Sequence, residues 1–331
     1  MSDKLIRGLF HPLGHRFADH IRETHAMGLD LARPGELRHL PGIVVTGCGP
    51  SLGRYGVIDD IRMYARRGYG VMACKESAAV LRAKGIRVNF AVAADPKPDQ
   101  IAKTPFDPET IYYFSSICHP TFLRHFLDLG AHIRIFHAAA PIFDPVYKTD
   151  AGMVTALWPG EPMILTMGGV SVASRALGLA DALAPHRALV AAGVDFGWRP
   201  GSSYYAKGAV GAAGNWGPVF TDHGALDGVP WFSKHDQLVC AEHLAIAAIR
   251  QGPRMTVLGD SIARGFVRRH ADFLMRYGTC WGNVFKRVAD PVIPAGGAST
   301  KHPPMPAEEI DVAIARGYPI PPEVMAERAE A

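Results

Sequence analysis

Short apolar runs recur along most of this sequence, and several are separated by segments of helical length with apolar residues at three- and four-residue spacing. Strands that alternate with helices in this way are typical of a parallel sheet with helices on both faces. We therefore predict an α/β fold with a Rossmann-like, mostly parallel sheet. The predicted strands are 42–46, 70–74, 90–94, 110–114, 132–136, 163–165, 188–194 and 255–258. The predicted helices are 58–67, 76–84, 120–129, 170–183 and 237–250.

The composition changes along the chain and predicts three parts. Residues 1–40 are expected to form an N-terminal helical segment, and 41–290 a single Rossmann-like domain. Within that domain, 199–234 is rich in glycine, aromatic and polar residues and predicts a long loop, or lid, beside a site. Residues 291–331 accumulate proline, glycine and alanine and predict a C-terminal appendage, with a poorly ordered tail as the alternative.

The overall composition argues against several functional classes. The net charge of +4 comes from interspersed acids and bases, which does not favour a nucleic-acid surface. The five cysteines form no C-x-x-C pair, so neither a zinc site nor a disulfide framework is indicated. The most apolar long stretch, 176–194, is interrupted by polar residues and proline, whereas a membrane helix needs about 20 apolar residues. Because the start of the sequence also lacks the apolar run of a signal peptide, we predict a cytoplasmic protein without a membrane span.

A glycine-rich turn follows the first predicted strand. The sequence GIVVTGCGPSLGRYG places Gly47 and Gly49 directly after apolar residues and before a helical pattern. At the carboxyl edge of a parallel sheet such a turn is where ligands bind, and Ser51 can cap a helix whose N–H groups suit a phosphate. The third glycine of G-x-G-x-x-G is missing and no Walker lysine follows, so NAD and P-loop assignments are not favoured. An ordinary turn that only permits tight packing is the alternative.

A second glycine turn and a later carboxylate form another candidate site. Thr166, Gly168 and Gly169 precede a helical pattern, Gly193 lies near the end of the very apolar strand 188–194, and Asp195 ends it. A carboxylate at a strand end often binds a ribose hydroxyl, a base amine or a metal. A residue that braces a loop or caps a helix is the alternative for this aspartate.

These paired motifs resemble a known group of proteins. G-C-G-P-S-L, T-M-G-G-V-S-V-A and A-G-V-D-F…G-S-S-Y-Y-A resemble the motility accessory factor glycosyltransferases and the MptE-like 6-hydroxymethylpterin pyrophosphokinases, and also the bacterial sialyltransferases that use CMP-sialic acid. The similarity covers roughly 42–251 and implies a nucleotide-binding catalytic domain. The implied nucleotide-binding residues are Gly47, Cys48, Gly49, Pro50, Ser51, Thr166, Gly168, Gly169, Gly193, Asp195, Ser202, Ser203 and Tyr204.

One position departs from that resemblance. Cys48 stands where the sialyltransferases carry asparagine, which removes a side-chain amide that could bond the donor. The donor nucleotide therefore stays open. Cys48 itself is expected to be a small packed residue, because no neighbouring base is apparent in the sequence.

The resemblance also implies a catalytic histidine that deprotonates the acceptor hydroxyl. His235, just before a predicted helix, matches best, and His223 is the alternative. An imidazole suits this role because its pKa of about 6.5 leaves a neutral fraction at physiological pH. Asp95, which ends the 90–94 strand, and Lys75, which follows the 70–74 strand, are candidates for binding the acceptor or a cation. A turn-forming Asp-Pro is an equal alternative for Asp95.

Three functions remain open on the sequence alone. The first is transfer of a sugar, such as a nonulosonate, from a nucleotide donor such as a CMP-sugar to an acceptor hydroxyl on a glycan, a protein or a small alcohol. The second is magnesium-dependent pyrophosphoryl transfer from ATP to a pterin-like alcohol, with Asp95 and Asp195 as metal ligands. The third is a phage-type accessory protein that binds a nucleotide without catalysis. No tightly bound cofactor is indicated, and metal dependence and oligomeric state stay open.

Overall fold

The computed structural model describes residues 16–140, 146–147, 149–166, 171–199, 206, 219–221, 231–233 and 235–267. Eight parallel strands in this part of the chain form one sheet. They are β1 (Gly42–Thr46), β2 (Gly70–Cys74), β3 (Phe90–Ala93), β4 (Ile111–Ser115), β5 (His132–Ala138), β6 (Leu165–Thr166), β7 (Ala188–Ala192) and β10 (Met255–Leu258). Their order in the sheet is β10-β7-β1-β2-β3-β4-β5-β6. Two further strands, β8 (Val219–Thr221) and β9 (Trp231–Ser233), form an antiparallel pair.

Seven α-helices in the described residues accompany the sheet, and residues 262–267 are helical as well. They are α1 (Phe17–Ala26), α2 (Tyr55–Arg66), α3 (Ser77–Ala83), α4 (Pro120–Asp128), α5 (Asp150–Leu157), α6 (Val172–Leu183) and α7 (His235–Gln251). Short 3₁₀ helices occupy Pro50–Gly53, Pro98–Lys103 and Gly252–Arg254. None of the helices in this part of the chain is long and apolar enough to cross a membrane.

Both faces of the sheet are covered, which explains why the strands are continuous apolar runs. Every residue of β1 and β2 is buried. One face packs against α1, α5, α6 and α7, and Ile43 and Val45 of β1 point into that core. The other face packs against α2 and α3 around Val44 and, beyond β3, against α4. Side chains alternate between the two cores as the period of two in a strand requires.

The strand order reverses direction once, between β1 and β7. From β1 the chain builds the sheet outward through β2, β3, β4, β5 and β6, and then α6 leads back to β7 on the other side of β1. Gly42–Thr46 pairs along its full length with Ala188–Ala192. Such a topological switch point leaves a crevice beyond the carboxyl ends of the two strands, where open α/β sheets bind ligands.

The structure confirms the predicted α/β class and the Rossmann-like parallel sheet, and it differs from the sequence-based boundaries in a few places. The strand predicted at 188–194 ends at Ala192, because Gly193 has a positive φ of 63° and turns the chain. Helix α5 was not predicted. The 199–234 segment, predicted as a lid loop, contains β8 and β9. Residues 291–331 lie outside the described residues.

Candidate active site at the switch point

The turn after β1 is held against the end of β7 by its own backbone. The Gly47 N–H donates to the Ala192 carbonyl over 2.9 Å, and the Gly49 N–H donates to the Gly193 carbonyl over 2.8 Å. A Cβ on Gly47 would lie 2.5 Å from the Gly193 carbonyl oxygen. Glycine is therefore required here by the close approach of two backbones, and Pro50 then starts a 3₁₀ helix.

Ser51 and Asp195 join the two strand ends inside the crevice. The carboxylate of Asp195, which is 1% exposed, accepts the Ser51 N–H over 2.7 Å and the Ser51 hydroxyl over 2.5 Å. Burial raises the pKa of Asp195 to about 7, while the two Ser51 hydrogen bonds act in the opposite direction. The Asp195 carboxylate thus accepts the Ser51 N–H that could otherwise bind an anionic ligand, and it braces the turn. Contact of Ser51 or Asp195 with a nucleotide stays a prediction.

Two parts of the predicted lid pack against these turns. The Ala206 N–H donates to the Cys48 carbonyl over 3.0 Å. The Ser233 hydroxyl, at the end of β9, donates to the Phe196 carbonyl over 2.6 Å. Phe196 itself has a positive φ of 58°, a conformation that costs energy for a side chain with a Cβ and that often occurs at functional sites. These contacts place Ala206 and Ser233, both within 199–234, beside the crevice.

Cys48 is a poor candidate for a nucleophile in this environment. Burial raises the pKa of its thiol to about 12, with a further contribution from the negative charge of Glu76. The thiolate, which is the reactive form, is therefore scarce at neutral pH. This agrees with the expectation of a packed small residue.

An ion pair lies beyond the carboxyl ends of β2 and β3. The Lys75 ammonium donates to the Asp95 carboxylate over 2.8 Å and to the Gln100 side-chain carbonyl over 2.9 Å. Although burial opposes ionisation of Asp95, the adjacent Lys75 holds the pKa of this carboxyl below its ordinary value. Both predicted candidates for acceptor or cation binding are thus brought into contact with each other.

Charged side chains that the motif analysis missed surround the opposite side of the crevice. Asp260 accepts two hydrogen bonds from the Arg199 guanidinium, over 3.2 and 3.3 Å, and lies 3.9 Å from Arg54. The Arg199 guanidinium also lies 4.0 Å from the centre of the Trp231 ring. The sequence does contain a signal for Asp260, because it follows the apolar strand β10 just as Asp195 follows β7.

Comparison with known proteins shows a similarity to a solved structure. No protein-family model and no curated protein matches the sequence. The chain is similar to a solved MAf glycosyltransferase. That structure, from Magnetospirillum magneticum AMB-1, shares 16% identity over 82% of this chain and 44% of its own chain, with a TM-score of 0.48. This chain therefore spans less than half the length of that glycosyltransferase.

Thr166, the first residue of the second predicted turn, lies farther along the same edge of the sheet. Thr166 ends β6, which is five strand positions from β1 in the sheet order, and its hydroxyl donates to the His137 carbonyl over 3.3 Å. Because adjacent strands are about 4.8 Å apart, a ligand that contacts both Ser51 and Thr166 has to extend along the edge. The structure thus places Ser51 and Thr166 at the carboxyl edge of the sheet but not side by side.

The predicted catalytic histidine is described only through its main chain. His235 is the first residue of α7, and a helix that leads into a parallel strand begins at the carboxyl edge of the sheet, so His235 lies at the edge that carries the crevice. Other predicted residues lie outside the described residues. They are Gly168, Gly169, Ser202, Ser203, Tyr204 and His223.

A buried polar network that the sequence analysis missed lies at the carboxyl ends of β4 and β5. The Ser116 hydroxyl is 2.6 Å from Nδ1 of His137, and Nε2 of His137 is 3.1 Å from the Asp150 carboxylate. Ser116 and His137 are fully buried. Asp150, the first residue of α5, also accepts the Ala140 N–H over 2.6 Å, so the network anchors α5 to the sheet. In the described part of the chain, no three His, Cys, Asp or Glu side chains are grouped to hold a metal ion.

Proposed function

We propose that this chain is a nucleotide-dependent transferase that moves a sugar from a nucleotide donor, such as a CMP-sugar, to an acceptor hydroxyl. The observation that carries the proposal is the meeting of the turn after β1 with the end of β7 at the topological switch point, held by the Gly49–Gly193 and Ser51–Asp195 hydrogen bonds. This is where open parallel sheets bind nucleotides. The specific donor chemistry rests on the resemblance of the two turns to the glycosyltransferase motifs, not on the distant structural similarity.

The groups around the crevice supply what such a reaction needs. A departing nucleotide carries phosphate charge, and the Arg54 guanidinium is more than half exposed beside the turn. Preorganised cations and N–H groups stabilise negative charge that develops in a transition state. In our proposal His235, at the start of α7, removes the proton from the acceptor hydroxyl in a single displacement that inverts configuration. The polar residues of 199–234 would then cover the reacting groups.

The magnesium-dependent alternative has less support from the geometry. Asp95 is paired with Lys75, and both carboxylate oxygens of Asp195 accept hydrogen bonds from Ser51. Burial also favours the protonated form of Asp195 up to a pH of about 7. Two carboxylates that are already engaged in this way are poor ligands for a hard cation, which needs several free oxygens.

Calorimetric titration with CMP, CDP, UDP, GDP and ATP, each with and without magnesium, tests the proposal. We expect a cytidine nucleotide to bind without magnesium. Binding of ATP alone, and only with the metal, would support the pyrophosphokinase instead. No binding of any nucleotide would overturn the proposal.

A histidine variant separates catalysis from binding. His235→Ala should lower release of CMP from a CMP-sugar by about 100-fold or more, the usual contribution of a general base, and leave CMP affinity within about twofold of that of the wild type. His39→Ala is the matched control, because His39 is exposed and precedes β1 at the opposite edge of the sheet. Unchanged turnover in His235→Ala would remove this residue from the mechanism. A wild-type chain that binds CMP without any turnover would indicate the accessory function.

A further inference from the structure

The edge of the sheet opposite the crevice, where the strands begin, concentrates positive charge. Four segments lead into neighbouring strands there, and they are 184–187 before β7, 33–41 before β1, 66–69 before β2 and 84–89 before β3. Together they contain seven arginine or lysine residues and one carboxylate, Glu36. These cations, which we call the basic edge, are all exposed, and they are Arg33, Arg38, Arg66, Arg67, Lys84, Arg87 and Arg187. Charges that are interspersed in the sequence are thus collected by the fold.

Contacts between the segments make the basic edge continuous. The Arg187 side chain donates to the Arg38 carbonyl over 3.0 Å, which joins the segments before β7 and β1. A Cβ on Gly68 would lie 3.8 Å from the Pro41 side chain, so the segments before β1 and β2 are also in contact. Strands β2 and β3 are paired in the sheet. Because adjacent strands are about 4.8 Å apart, the four strand starts span only about 14 Å.

Neither helix ends nor ion pairs account for this charge. Helices α2, α3 and α6 end at this edge, but a helix end carries only about half a negative charge, so three ends offset about one or two of the cations. Arg87 is paired with Glu109 over 3.3 Å. Glu36, the carboxylate within the segments, accepts the Arg33 backbone N–H and the Tyr113 hydroxyl. An anionic partner can therefore approach most of the basic edge.

Two exposed leucines lie at the same edge of the sheet. Leu127 is 37% exposed and Leu129 is 43% exposed, where α4 ends and the chain turns into β5. With Val146, they are the large hydrophobic side chains that are exposed in the described part of the chain. A lipid surface accepts both cations and leucines, whereas the backbone of a nucleic acid offers phosphates to the cations alone. The leucines therefore favour a lipid partner.

We propose that the basic edge docks on a membrane surface that contains anionic lipids, with Leu127 and Leu129 entering the headgroup region. Arginine guanidinium groups bind phosphates through two parallel N–H donors, and each cation near an anionic leaflet adds to the attraction. The crevice lies at the opposite edge of the sheet, so a docked chain keeps its candidate site open to water. This inference does not depend on the proposed function.

Co-sedimentation of the full chain with vesicles tests the proposal. The wild type should bind vesicles of phosphatidylglycerol and phosphatidylcholine, and not vesicles of phosphatidylcholine alone. Arg66→Gln combined with Arg67→Gln should weaken this binding by about 10-fold to 30-fold, as expected for the loss of two cations near an anionic surface. Leu127→Ser combined with Leu129→Ser should weaken it by about threefold or more, because apolar surface no longer leaves water.

A matched control removes two other exposed cations. Arg22→Gln combined with Lys97→Gln changes the net charge by the same amount outside the basic edge and should bind the vesicles like the wild type. Circular dichroism checks that each variant is folded, and the two edge variants test the same surface independently if one of them is not.

Several results would overturn the proposal. They are absence of wild-type binding to the anionic vesicles, unchanged affinity in either folded edge variant, and an equal loss of affinity in the control. Tighter binding to duplex DNA than to the vesicles would assign the basic edge to a nucleic acid instead. None of these results bears on the calorimetric titrations with nucleotides, so the proposed function stands or falls separately.

Discussion

The Asp195 carboxylate gives this protein a titratable group at the centre of its candidate site. Because burial raises its pKa from 3.8 to about 7, the folded chain holds a proton between these values that the unfolded chain has lost. The free energy of unfolding should therefore fall as the pH rises through this range, by up to about 1.4 kcal/mol per pH unit. Asp195→Asn cannot titrate, so its unfolding free energy should depend less on pH between 4 and 7, as measured by urea denaturation.

One other buried carboxyl and one exposed carboxyl define the controls for this prediction. Burial also raises the pKa of Glu242 to about 7, so part of the slope should remain in Asp195→Asn and disappear in the double variant with Glu242→Gln. Asp128→Asn removes an exposed carboxyl and should keep the wild-type slope. If Asp195→Asn and the wild type have the same slope, the carboxylate is ionised in the folded state well below pH 7.

At the scale of secondary-structure elements, the sequence predicts strands better than it predicts short helices. The strands β1 and β2 appear where predicted because a strand covered on both faces is a continuous apolar run with clear ends. Helix α5 gives no such signal. Its sequence DAGMVTAL has little amphipathic character, and it buries only Met153 and Val154, so tertiary contacts decide its conformation.

The Asp150 carboxylate supplies one such contact and leads to a prediction for α5. Asp150→Ala leaves Nε2 of His137 and the Ala140 N–H without their acceptor in a largely buried site. The expected loss of unfolding free energy is about 3 kcal/mol, measured by chemical denaturation. Asp59→Ala is the matched control, since it breaks an exposed ion pair with Arg62 on α2 and should change stability little. Equal effects of the two substitutions would show that the buried network does not anchor α5.

At the scale of the whole molecule, the sequence predicts which residues lie at the carboxyl edge of the sheet. It does not predict which strands are adjacent along that edge. All strands of a parallel sheet end at the same edge, so Gly49 and Asp195 were expected there from the sequence alone. Which strands are adjacent depends on contacts between distant parts of the chain, such as Ser51 and Asp195, 144 residues apart. No local pattern encodes that pairing. For the same reason, the wide spacing between Ser51 and Thr166 follows only from the strand order.

The strand order makes a prediction about local stability that hydrogen–deuterium exchange can test. Strands β1 and β7 are each paired on both sides, whereas β6 lies at the edge of the sheet and is two residues long. Amide exchange should therefore be clearly slower in β1 and β7 than in β6, because exchange requires local opening. A saturating nucleotide should add protection at 47–53 and 193–196, since a ligand in the crevice stabilises the turns that form it. Protection that appears at β6 but not at these two turns would place the ligand away from the switch point.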